Sequence, residues 1–123
     1  MFKYNQILII FACELISWMM KIVFKDKHMF RAVQDKRLLL KTYGNLRGGI
    51  LMRRLDDMRA AENMAELKLL PGHYHELTGD RKGQWACDLD HPYRLIMEPD
   101  GNNADFSKIT VVDIIEITNY HGK

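Results

Sequence analysis

The sequence predicts an α+β domain, a helical hairpin packed on a small antiparallel-rich sheet, in the order β-α-α-β-β-β. Three observations carry this reading. Apolar residues recur at helical spacing from Met29 to Met58, with an interruption at Gly44-Asn45. Trp85, Cys87 and Leu89, and then Tyr93, Leu95 and Met97, recur at every second position, and residues 109–118 are rich in β-branched side chains. A period near 3.6 marks one face of a helix, a period of two marks a half-buried strand, and branched side chains suit a pleated surface. Helices followed by a run of strands, all needing one core, make an α+β domain.

Each element has its own signal. Met20-Lys21-Ile22-Val23-Phe24 reads as a first strand. Met29, Val33, Leu40 and Tyr43, with Phe30 and Leu39 alongside, predict a first helix that Gly44 and Asn45 break. Leu51, Leu55 and Met58 stand at i, i+4 and i+7 and predict a second helix, with Arg47, Arg54 and Asp57 on its solvent side. The pair Gly48-Gly49 blurs where that helix starts. Asn63-Met64-Ala65-Glu66 has the form of a capping box, so a short helical turn precedes Pro71-Gly72. Trp85, Cys87 and Leu89 alternate with Ala86 and Asp88, a turn follows at Asp90-His91-Pro92, and Tyr93, Leu95 and Met97 alternate with Arg94, Ile96 and Glu98. Pro99-Asp100-Gly101-Asn102-Asn103 is a loop, and Ile109 to Thr118 a central strand.

Residues 1–19 stand apart from residues 20–123, which hold the whole pattern. Ile7 to Trp18 is mostly apolar, with Lys3 before it and Glu14 inside. It is shorter than the roughly 20 residues a spanning helix needs. Three readings are open: a dispensable extension or a start misassigned upstream of Met19 or Met20, a signal segment without a clear cleavage site, or a membrane-directed segment. No membrane association is expected.

A chain of 123 residues makes one domain with a modest core. Cys13 and Cys87 have neither metal-ligand nor redox spacing, so a reducing cytoplasm is the expected compartment. The net charge of +2 hides a division. Residues 21–59 carry eleven Lys/Arg against four Asp/Glu, or +7, and residues 60–123 carry six against eleven, or −5. A basic front half suits a phosphate backbone or an acidic partner, although two solvated helices would have the same composition.

Candidate chemistry lies in His75 to Trp85, in Pro92 to Ile96, and in Asn119-Tyr120-His121. These offer two histidines, two or three cations and a tyrosine, with no nucleophilic serine or cysteine arrangement. Cleaving RNA through its own 2′-hydroxyl takes a base, an acid, and cations for the charge that gathers on phosphorus. Histidine titrates near neutrality, so His75 and His121 are candidates for the acid and base. Arg94, on a strand, offers a rigid guanidinium for a phosphate, Arg81 and Lys82 offer charge from the Gly79–Gly83 loop, and Tyr120 offers a hydrogen bond or a stacking ring. Each has an ordinary reading too. His75 would be a hydrogen-bonded surface residue, Arg94 a partner for Asp88 or Glu98, residues 79–83 a polar turn, and Tyr120-His121 a frayed end. His28, His73 and His91 read as structural or exposed. No two histidines share an i, i+4 face and no carboxylate pair accompanies them, so neither a metal site nor a cofactor is expected.

The run His-x-Leu-x-Gly-Asp-Arg-Lys-Gly-Gln-Trp, here His75 to Trp85, together with Pro92-Tyr93-Arg94-Leu95 and the closing Asn119-Tyr120-His121, resembles the RelE/HigB family of bacterial toxins. The plasmid maintenance killer proteins are its most similar subgroup, and the resemblance extends from about Met20 to His121. It implies a RelE-like fold and a ribosome-dependent messenger-RNA endonuclease that stops translation by cutting in the decoding site. It also implies catalytic roles for His75, Arg94, Tyr120 and His121, with Arg81, Lys82 and Asn119 against RNA. A small helix-turn-helix antitoxin, HigA-like, is the implied partner besides the ribosome and its message, with promoter DNA bound only through the antitoxin complex. Two positions depart from the pattern. Thr78 stands where a lysine is common, and Asn119 where an acid is expected, which leaves an attenuated toxin open. The alternatives are a ParE-like gyrase inhibitor and a catalytically silent antitoxin-binding module.

Overall fold

The computed structural model describes residues 20–101 and 104–119. The expected extension 1–19, Asn102 and Asn103 of the predicted loop, and the closing Tyr120 and His121 lie outside the described residues.

The α+β expectation holds. A five-stranded sheet is built from β1 (Lys21–Phe24), β2 (His75–Glu76), β3 (Trp85–Asp88), β4 (Tyr93–Pro99) and β5 (Val111–Asn119), in the spatial order β1-β5-β4-β3-β2. β1 runs parallel to β5, and the other three pairings are antiparallel. The strand predicted at 109–118 is indeed interior, held between β1 and β4. Three helices, α1 (Lys27–Ala32), α2 (Lys36–Ala60) and α3 (Met64–Leu67), fill the connection from β1 to β2.

Two details correct the expected helices. The first predicted helix is really two. Asp35 accepts hydrogen bonds from the backbone N–H groups of Arg37 (3.0 Å) and Leu38, and so caps a fresh helix start after Val33. The N-cap preference of aspartate outweighs the apolar spacing that runs through this point. The second helix begins as expected after Gly44, whose φ of 85° and ψ of 168° leave the helical region. Across that kink the chain doubles back: a Cβ added to Gly48 would lie 3.3 Å from Leu39 and 3.5 Å from Leu40. Nine residues of unbroken helix would separate these positions by about 13 Å. The contact therefore defines a hairpin, and Gly48 is small because the two arms meet there.

Alternation assigns the two faces of the sheet. Trp85, Cys87, Leu95, Met97, Val112 and Ile114 join Leu51, Leu55, Met58, Met64 and Leu67 in one buried cluster, so the helices cover that face. Ile117 packs against the same cluster. Asn63 caps α3 through the N–H of Glu66 (3.1 Å), and the Glu66 carboxylate returns to the N–H of Glu62 (2.9 Å), a capping box shifted by one residue. No helix among the described residues lies on the opposite face. Among the described residues, no helix is long and apolar enough to cross a membrane.

Candidate functional site on the open face of the sheet

The open face is assembled by register. His75 pairs with Ala86, Ala86 with Ile96, and Ile96 with Glu116 in one row. The neighbouring row holds Asp88, Arg94 and Thr118, each opposite the next. Because paired residues share a face and side chains alternate, His75, Asp88, Arg94, Glu116 and Thr118 all stand on the side away from the helices. His75 and Arg94 are two residues along and two strands across from one another, about 12 Å between Cα atoms in ordinary sheet geometry. A phosphate between the two side chains could meet both.

His75 is mounted by a sharp turn. Gly72 at φ 121° and His73 at φ 58° turn the chain into β2. Gly72 has no room for a side chain, since an added Cβ would meet Arg54 Nε at 2.7 Å. Arg54 Nε donates to the carbonyl of Asp88 (2.8 Å), the Asp88 N–H donates to the carbonyl of Gly72 (2.8 Å), and the buried Tyr74 hydroxyl donates to the carbonyl of Arg54 (3.2 Å). On this base the His75 Nδ1 lies 2.8 Å from the His73 carbonyl, and the two imidazoles stack with centroids 4.2 Å apart and planes 21° apart. His73 Nδ1 is in turn 3.6 Å from Asp88 Oδ2. A carbonyl only accepts, so Nδ1 of His75 carries the hydrogen and its Nε2, when the ring is neutral, keeps a free lone pair.

Arg81 is less available than its sequence setting suggests. Its guanidinium donates to Glu116 (2.6 Å) and to Gln84 (2.8 Å). Glu116 belongs to β5, two strands beyond β3 and about 10 Å across the sheet. The loop between β2 and β3 must therefore lean over the open face, above the row in which Ala86 and Ile96 are buried. Lys82 in the same loop is exposed. Asn119, the last described residue, pairs with Tyr93 beside Arg94, so β5 ends next to that arginine. Tyr120 and His121 follow directly in sequence.

At the end of β3 and β4 lies a cleft of about 180 Å³, lined by His73, Asp88, His91, Pro92, Tyr93 and Arg94 among others. His73, His91 and Asp88 were not expected at the site; their meeting depends on strand register, which no local pattern announces. The one available signal was that His73 lies two residues before His75. His28 is exposed at the start of α1, away from this cleft.

The two arginines expected on the solvent side of the second helix are instead engaged. Arg47 makes paired hydrogen bonds to Asp90 (2.9 and 3.1 Å) and lies 3.5 Å over the Tyr93 ring. The Arg47 hydrogen bonds hold the Asp90 carboxyl below its usual range. Arg47 and Arg54 leave the helical wheel's apolar side but reach the ends of β3 and β4, which the wheel cannot show. Cys87 is buried, and loss of solvent pushes its thiol up to about 12, which keeps it an unreactive core residue.

No family model matches the chain, and no curated protein matches it. Among solved structures it is similar to the YoeB/ParE toxin from Agrobacterium tumefaciens, at 18% sequence identity over 81% of this chain and 98% of that chain, with a TM-score of 0.41.

Proposed function

We propose that this chain is the toxin of a toxin–antitoxin pair, an endoribonuclease of the RelE/HigB type that cuts messenger RNA on the ribosome. The observation that carries the reading is the open sheet face. His75, with an acceptor nitrogen, and Arg94 share it, and β5 ends beside Arg94 just before Tyr120 and His121.

The reaction follows from those groups. One histidine of the pair His75 and His121 takes the proton of the 2′-hydroxyl, whose oxygen attacks phosphorus. The bond from phosphorus to the 5′-oxygen breaks, and the other histidine gives that oxygen a proton. The products are a 2′,3′-cyclic phosphate and a 5′-hydroxyl. Arg94 binds the phosphoryl oxygens as charge accumulates on them. Tyr120 stacks on a base or donates a hydrogen bond, while Lys82 and Asn119 flank the strand of RNA. Arg81 serves mainly to hold its loop through Glu116, and its charge reaches RNA only as part of that pair. The partner is a small helix-turn-helix antitoxin of HigA type, which grips the basic helical half; the complex binds promoter DNA through the antitoxin. The setting is cytoplasmic.

Induction of the protein alone in a bacterium tests this. Growth arrest should come from halted translation, with cuts at codons of ribosome-bound messages and little cutting of naked RNA, because positioning supplies much of the rate. Intact messages with impaired DNA supercoiling would overturn the reading in favour of a gyrase inhibitor. Unimpaired growth with tight antitoxin binding would leave a silent binding module.

A further inference from the structure

We propose that His73 is a positioning residue for His75, fixing both the tautomer and the plane of the imidazole that performs proton transfer. This rests on the endonuclease reading for its kinetic consequence, though not for its structural one.

Three contacts converge on this role. The His73 carbonyl lies 2.8 Å from His75 Nδ1. Its ring covers the His75 ring at 4.2 Å, nearly parallel. Its own Nδ1 faces Asp88 Oδ2 at 3.6 Å. A single hydrogen bond would leave the His75 ring free to rock about it, whereas a stacked ring on one side removes that freedom. Asp88 offers the second ring a nearby charge at 3.6 Å, and the Asp88 main chain is itself pinned by Arg54 and Gly72. The arrangement forms a chain of constraint from the long helix to the catalytic nitrogen.

The backbone of His73 supports the same conclusion. At φ 58° it occupies the left-handed region, uncommon for any residue but glycine, although histidine, like asparagine, is among those that adopt it. A histidine ring there, 63% exposed and pointing along the open face rather than into the core, adds little to burial. Its geometry serves the neighbouring ring. His73 also lines the cleft shared with Arg94, so its ring and the guanidinium border the same space.

The full-length protein and two variants distinguish this role from simple structure. His73→Asn suits the left-handed backbone and keeps the carbonyl but removes the ring. His73→Phe keeps a stacking ring without a nitrogen. On ribosome-bound message, His73→Asn should lower kcat by about 10- to 100-fold with KM unchanged and no drop in melting temperature, the scale of a misplaced catalytic group. His73→Phe should recover most of that loss. Independently, nitrogen NMR of the neutral His75 ring should show a narrow Nδ1–H signal in the parent and in His73→Phe, and a broadened, averaged one in His73→Asn, which keeps the carbonyl but not the stacking ring. If the chain cuts no RNA, that spectrum still decides the positioning role while the functional reading fails separately. An unchanged His75 spectrum in His73→Asn would overturn the proposal. So would a loss of activity that tracks a lowered melting temperature and is no smaller in His73→Phe.

Discussion

Arg94 stands opposite Asp88 on β3 and Thr118 on β5, on the face the helices leave open. Two roles compete for it: cross-strand ion pairing with Asp88 and phosphate binding. The sequence offers Asp88 or Glu98 as its pairing partner, and register places Asp88 directly opposite it. An exposed ion pair contributes 0–1 kcal/mol, whereas one lost electrostatic donor costs a rate factor of about 10²–10³. The two roles are therefore separable by size. Arg94→Ala should reduce message cleavage at least about 100-fold and leave the melting temperature within a few degrees. Arg94→Lys should recover only part, because the paired geometry of a guanidinium is lost. Activity that falls only in step with stability would assign Arg94 to the ion pair alone. At this scale His75 and Arg94 were legible because they sit inside short distinctive runs. His73 and Asp88 were not, since a stacked imidazole pair and a carboxylate from another strand meet only after the strands are aligned.

Elements were legible where their period was long enough to register. β3 and β4 alternate over four and seven residues, and both were found. β2, two residues long, has no period at all. The hairpin break at Gly44 was visible as composition, but the break at Asp35 was hidden under apolar spacing. The clamp between α2 and the β3–β4 turn was missed altogether, because Arg47 and Asp90 are forty-three positions apart. That clamp has a pH signature. Its hydrogen bonds to Arg47 depress the Asp90 carboxyl in the folded state, so its contribution is fully present above the ordinary carboxylate range. It fades as the pH falls through that range and on through the lower folded value. Asp90→Asn should therefore cost about 1–2 kcal/mol at neutral pH, the scale of a charge-assisted pair with both groups mostly covered. Parent and variant should converge in acid, once the pH has fallen below the ordinary carboxylate range and through the lower folded value. Chemical denaturation across that range measures the difference, and a gap independent of pH would show that the clamp acts through packing over Tyr93 instead.

The whole molecule divides by charge as the sequence suggested, but some of the helical half's surplus is spent internally. Arg47 and Arg54 fasten the end of the sheet, and Lys25 lies 3.8 Å from Asp113. Lys36, Arg37, Lys41 and Arg53 remain exposed on the helices, which is the surface proposed for an acidic face of the antitoxin. At the other end of the chain, the described core begins at Met20, itself buried, whose backbone N–H donates to the carbonyl of Ala61 at 3.0 Å. Lys21 then continues the sheet through the carbonyl of Thr110 at 2.8 Å. Met20 and Lys21 are thus tied by their backbones to the end of the long helix and to the strand region of β5. A chain starting at Met19 keeps the Met20 nitrogen as an amide, whereas a start at Met20 places a charged amine in a buried position, a costly exchange. We expect the shorter chain from Met19 to fold, with an unfolding midpoint close to that of the full-length protein, and the chain from Met20 to be less stable than either. Denaturant titration of the three proteins measures this. A chain from Met19 that fails to fold would show that the apolar segment 1–19 completes the core, and a chain from Met20 as stable as the other two would show that the Ala61 contact contributes nothing.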